Sequence, residues 1–152
     1  MKKNGRHAGS IVVMALVCFI FIFGFSALAF SADCQQKRKT PKAPDSIYNK
    51  KNPLESSPEN ISAGKKMYQK GAKPLACIKC HGEKGDGLGK IAKGMTPKPK
   101  DFTCRAMMGK IPDGQLFWII QNGSKGTGMM GFKKLKDEQV WQLILYLRQF
   151  AG

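Results

Sequence analysis

Blocks of different polarity follow one another along the chain. Behind Lys2, Lys3 and Arg6, residues Ile11 to Phe30 form an uncharged apolar run. Residues 33 to 56 are mostly Lys, Arg, Pro and other polar side chains, a composition that buries too little surface to fold alone. From Ser57 the pattern changes, with Ile61, Gly64, Met67 and Tyr68 falling at helical spacing. Ser57 suits an N-cap, Pro58 the first helical position and Glu59 the positive end, which predicts a helix to about Gln69, stopped at Gly71. Residues 71 to 112 are rich in Gly and Pro without a sustained period and read as loop. Asp113 is expected to cap a second helix, GQLFWIIQN, ending where Gly123 can take the left-handed conformation. After a glycine-rich loop to Phe132, Asp137 opens a last helix whose Val140, Trp141, Ile144, Leu145 and Leu147 make a broad apolar face.

No stretch reads as a paired strand, and there is no internal repeat. The expected fold is therefore all-α, with three to four short helices and long loops. Three segments are expected: 1–32 a signal peptide or N-terminal membrane anchor, 33–56 a basic, proline-containing linker, and 57–152 the folded domain. So few helices bury little apolar surface, and small domains are marginal without a staple. Something large is expected to fill the middle.

The apolar run matters for location. A basic start, an apolar middle and a small-residue cut at Ala27-Leu28-Ala29 or Ala29-Phe30-Ser31 fit a cleaved secretory peptide. Its length also matches the roughly 20 residues that cross a bilayer, so residues 11–30 fit membrane attachment as well. Under either reading the basic end stays inside and the rest is exported to the periplasm, soluble or anchored to the inner membrane. Asp33 directly before Cys34 argues against lipid attachment there.

The chain holds 26 Lys and Arg against 10 Asp and Glu, a formal charge of +16. That surplus favours anionic partners at long range. Nucleic acid is the weakest of these, since no nucleic-acid motif is visible and an exported chain rarely meets the genome.

The stretch CIKCHGEKGDG concentrates the chemistry. Cys77, Cys80 and His81 fit the C-x-x-C-H pattern of covalent haem attachment, in which two thiols join the porphyrin edge and the next imidazole sits beneath the iron. A structural zinc site would need four ligands, and the other exported cysteines, Cys34 and Cys104, are isolated, with no second exported histidine. A reactive dithiol would sit at a helix start after a strand, and none is visible. A plain disulfide between Cys77 and Cys80 would leave His81 without a role. Cys34 lies in the expected linker, where nothing fixes its distance to Cys104, so the two are expected to stay unpaired.

An iron held by His81 on one side calls for a ligand on the other, and a thioether suits an electron carrier. The exported methionines are Met67, Met95, Met107, Met108, Met129 and Met130. Met129 and Met130 sit in GSKGTGMMGFKKL, a loop between two helices that can wrap over a ring face.

From about residue 57 to 150 the chain resembles the class I c-type cytochromes, in particular the small single-haem bacterial kind. Gly64 with Tyr68, the C-x-x-C-H-G at 77–82, the glycine run GEKGDGLGK, the proline loop TPKPKDF, the loop GTGMMGF and the Trp and Tyr of EQVWQLILYLR each match a family feature. The family's loop reads Gly-Thr-x-Met-Pro-x-Phe. The resemblance therefore implies Met129 at the iron and Met130 where proline usually stands. It also implies one haem c on Cys77 and Cys80, axial ligands His81 and Met129, and a close crossing of the first and last helices at Gly64, Tyr68 and Tyr146. A proline-loop carbonyl, at Pro97, is expected to accept from the His81 ring. The implied function is electron carriage rather than enzymatic turnover, by a monomer with acidic redox partners steered by Lys79, Lys84, Lys125, Lys133 and Lys134. The alternative is a haem enzyme subunit or gas sensor with a labile or absent Met ligand.

Overall fold

The structure is a computed structural model and describes residues 34, 36 and 40–152. The apolar run 11–30, expected as signal or anchor, lies outside the described residues. Among the described residues the chain is helical without strands, as expected, and no helix is long and apolar enough to cross a membrane.

Helix α1 is Asp45–Tyr48, α2 is Pro58–Lys66, α3 is Ile78–His81, α4 is Arg105–Met108, α5 is Asp113–Asn122 and α6 is Asp137–Gln149. The long ones, α2, α5 and α6, are those that apolar periodicity predicts. The other three are single turns, too short to show a period.

Helix α2 starts as its sequence dictates. Ser57 Oγ accepts from the Asn60 N–H at 3.3 Å, with Pro58 at the first helical position. Beyond Lys66 it widens into a π turn, Met67–Gly71. The expected Asp113 cap is corrected: Pro112 occupies the cap position, and Asp113 is the first helical residue. Its carboxylate instead receives Arg148 of α6, whose guanidinium also donates to the Met108 and Ile111 carbonyls, each at 2.6 Å. One half-buried side chain thus ties the last helix to the start of α5.

Helices α2 and α6 cross where Gly64 lies. A Cβ there would stand 2.0 Å from the Gln142 carbonyl oxygen and 3.0 Å from Tyr146 Cβ, so only glycine allows this approach. Tyr68, Met108, Val140, Leu143 and Ile144 are the core's largest fully buried side chains among the described residues. Rings extend from it: Tyr68 meets Tyr146 and Phe150, each with centroids 5.4 Å apart, and Phe102 lies 6.3 Å from Phe150.

Of segment 33–56, expected as a linker, described residues pack on the domain. Gln115 of α5 grips it with one amide, accepting from the Ala43 N–H at 2.8 Å and donating to the Pro41 carbonyl at 3.0 Å. The Gly114 N–H donates to Lys50 O, and Asn52 Nδ2 donates to the Trp141 carbonyl, both at 2.9 Å. Composition marked this strap as unable to fold alone. It does not fold alone, but borrows backbone partners from α5 and α6. Cys34 and Cys104 are joined in a disulfide with Cα atoms 5.9 Å apart, correcting the expectation that they stay unpaired. The strap supplies the fixed distance that the sequence alone did not reveal.

Candidate functional site

Cys77 caps the single turn α3, and the spacing places Cys77, Cys80 and His81 at i, i+3 and i+4, hence on one face. The turn is held by the His81 N–H to Cys77 O at 2.9 Å and the Gly82 N–H to Ile78 O at 3.0 Å. Gly82, with φ of 81°, then turns the chain away. Tyr68 Oη donates to the Gly82 carbonyl at 2.6 Å, tying this turn to the helix crossing.

The three side chains line a cleft of about 460 Å³, within the range of ligand pockets. Met129 and Met130 line it too, as do Met95 and Met107. Cys77 and Cys80 are free thiols. Burial pushes the Cys77 thiol up to about 12 and also raises that of Cys80, so both are neutral near pH 7. A reactive dithiol needs the opposite shift. Among the described residues, no group of three or more His, Cys, Asp or Glu is placed to hold a metal ion.

His81 is buried, its ring stacked on Phe102 with centroids 4.5 Å apart. Its Nδ1 lies 3.0 Å from the Lys100 carbonyl. A carbonyl can only accept, so Nδ1 carries a proton, and in the neutral ring Nε2 holds the lone pair. The expected partner, Pro97, is thereby corrected to Lys100. Both belong to the proline loop, but the bend that turns one carbonyl toward the imidazole is set three residues later.

The loop that presents Met129 is closed on itself. The Ser124 N–H donates to the Met129 carbonyl at 3.0 Å, the Met129 N–H to Thr127 Oγ1 at 3.1 Å, and Thr127 Oγ1 to the Ser124 carbonyl at 2.8 Å. Gly123, with φ of 76°, makes the bend; a Cβ there would meet the Met129 oxygen at 2.6 Å. Met129 is half-buried against the core, whereas Met130 is 43% exposed.

Residues 61–151 match the sequence model of the family described as cytochrome c. The chain belongs to the cytochrome c family. Among solved structures, a chain of the Kuenenia stuttgartiensis reducing HAO-like protein complex is similar to it, with 32% sequence identity and a TM-score of 0.55. The similarity covers 66% of this chain and 47% of that one, so this chain spans less than half the length of its relative. No curated protein matches.

The residues of this cytochrome fit the haem that its family implies. Two neutral thiols, an oriented imidazole and a thioether share one mainly apolar cleft. Ser124 Oγ, buried on the cleft wall, lacks a hydrogen-bond partner in the protein, which suits a cleft meant to receive a polar group. Sequence reasoning missed Ser124, Lys100 as the carbonyl that accepts from His81, the stacking Phe102, and the strap residues Gln36, Thr40, Lys42 and Tyr48 that also line the cleft. Phe102 had a signal in the Asp-Phe that ends the proline loop. The strap had one in its leftover cysteine, since Cys34 and Cys104 are the pair remaining after Cys77 and Cys80.

Proposed function

We propose that the chain is an exported single-haem c-type cytochrome that carries electrons between redox proteins, with haem c attached by thioethers at Cys77 and Cys80 and ligated by His81 and Met129. The observation that carries this reading is the single turn from Cys77 to His81, which sets two thiols and an imidazole on the wall of a cleft that Met129 also lines. When bound, haem supplies a one-electron iron couple, whose potential a Met ligand raises.

The protein's part is to hold both ligands still. The Lys100 carbonyl fixes the His81 ring and raises its basicity. The Ser124–Thr127–Met129 hydrogen bonds hold the Met129 loop, and the half-burial of Met129 favours it over the exposed Met130. His81 and Met129 would both hold the iron, which would disfavour substrate binding there and suit electron carriage.

Lys79, Lys84, Lys125, Lys133 and Lys134 are exposed, which supports steering of acidic redox partners. Leu88 and Ile91, 72% and 44% exposed, stand beside the attachment turn, where the Gly89 N–H donates to Cys80 O and the Ile91 N–H to Lys79 O. An apolar pair among lysines suits brief docking by a protein of opposite charge. Export draws support from the apolar run 11–30 and from the Cys34–Cys104 disulfide, a bond kept in oxidising compartments. Whether cleaved or retained, residues 11–30 leave the domain in the periplasm, where we read it as a monomer.

A second reading, a haem subunit of a larger redox enzyme, draws on the relative found in a reducing HAO-like complex. Spectra of the ferric protein separate the two. Electron carriage with closed ligation predicts a sulfur-to-iron charge-transfer band that Met129→Ala abolishes and Met130→Ala retains. A ferric spectrum without that band, with tight binding of small ligands, supports the enzyme subunit.

A further inference from the structure

We propose that Gln36, together with the Cys34–Cys104 disulfide, forms a brace outside the family's domain that holds the Lys100 carbonyl against His81 and so sets the donor strength of that ligand. The inference rests on the reading of His81 as the haem ligand and goes beyond it by assigning a redox-tuning role to the strap. The family match begins at residue 61, so neither Cys34 nor Gln36 belongs to it.

The Gln36 amide makes two hydrogen bonds across the proline loop: Nε2 donates to the Pro99 carbonyl at 2.9 Å, and Oε1 accepts from the Asp101 N–H at 3.1 Å. One side chain thus pairs with the residues on either side of Lys100, as the peptide group of a neighbouring strand would. In such pairing the intervening residue turns its own carbonyl to the opposite edge. There the Lys100 carbonyl meets His81 Nδ1 at 3.0 Å. Beyond Asp101 the loop is stiffened by the Thr103 N–H and Oγ1, which donate to Asp101 Oδ1 at 2.8 and 2.6 Å. It ends at buried Cys104, bonded to Cys34 only two residues from Gln36. The strap therefore grips both ends of the segment whose middle orients the imidazole.

The strap's other anchors, Gln115 and Asn52, touch α5 and α6 and not this loop. That separation lets the brace be distinguished from general stabilisation. A carbonyl accepting from the ligand's N–H makes the imidazole a better donor and favours oxidised iron. Loosening the brace should therefore move the couple toward the reduced form.

The test uses the full-length mature protein. It compares the midpoint potential, and the solvent exchange of the His81 Nδ1 proton followed by NMR in the reduced state, among Gln36→Ala, Gln36→Glu, the double variant C34S/C104S and the control Asn52→Ala. The brace predicts a severalfold shift of the oxidised-to-reduced ratio toward reduced, with faster proton exchange, in Gln36→Ala and in the double variant. Gln36→Glu keeps the acceptor for Asp101 and loses the donor to Pro99, so its proton exchange falls between parent and alanine, while its added charge acts on the potential separately. Asn52→Ala lowers stability but moves neither readout. If Gln36→Ala fails to hold haem, Gln36→Glu and the cysteine pair decide. Unmoved potential and exchange in those variants, or an equal shift in Asn52→Ala, would overturn the brace while leaving the ligand assignment standing. A parent protein without thioether haem would instead overturn the ligand assignment, and the brace with it.

Discussion

Tyr68 Oη donates a 2.6 Å hydrogen bond to the carbonyl of Gly82, the residue after His81. The phenol stands under the crossing of α2 and α6, so the bond links the tightest packing in the fold to the turn that carries the imidazole. Tyr68→Phe leaves the Gly82 carbonyl buried without its donor and should cost about 1–3 kcal/mol. Denaturant unfolding followed at the haem absorbance measures it; an unchanged midpoint would remove Tyr68 from the account.

The same phenol makes a pH prediction. Burial raises its pKa well above the ordinary phenol range. The folded state thus keeps a proton that the unfolded chain releases above about pH 10. Its contribution is fully present below that pH and is lost as pH rises further. Alkaline unfolding should steepen above pH 10 in the parent and less so in Tyr68→Phe, as read by stability measured at stepped pH.

Gly64→Ala should destabilise by about 1–3 kcal/mol or more, because the added carbon would overlap the Gln142 carbonyl, which is backbone and has little room to yield. Gly94 has no atom within 4 Å of the corresponding position, so Gly94→Ala should be near neutral. Thermal melts of the two variants side by side check the difference. Equal melts would mean that the helix crossing is not tight.

Much of this was legible in the sequence because it is local. C-x-x-C-H places three groups on one turn by spacing alone, and Ser57-Pro58-Glu59 starts α2 with no help from the rest of the fold. Gly64 and Tyr68 were legible as a pair four residues apart. What stayed hidden depends on distant chain. The Lys100 carbonyl, rather than that of Pro97, meets His81 because Gln36 grips the residues on either side of it. Cys34 finds Cys104 because Gln115, far along the chain, holds residues 41 and 43. The single turns α1, α3 and α4 are too short to show a period.

Release of the strap should be measurable as stability. The Cys34–Cys104 link spans a sequence separation of 70, and its removal in C34S/C104S should cost about 2–4 kcal/mol. Thermal unfolding of the parent and the double variant, both with haem attached, provides the comparison. A difference near zero would mean that the strap's hydrogen bonds suffice without the bond.

Peptide mass spectrometry of the purified mature protein tests the central claim most directly. The account predicts one haem adduct that keeps the peptides bearing Cys77 and Cys80 joined after cleavage between them at Lys79, and that resists acidic organic extraction. Two free thiols at these positions, or a disulfide joining them, would contradict it.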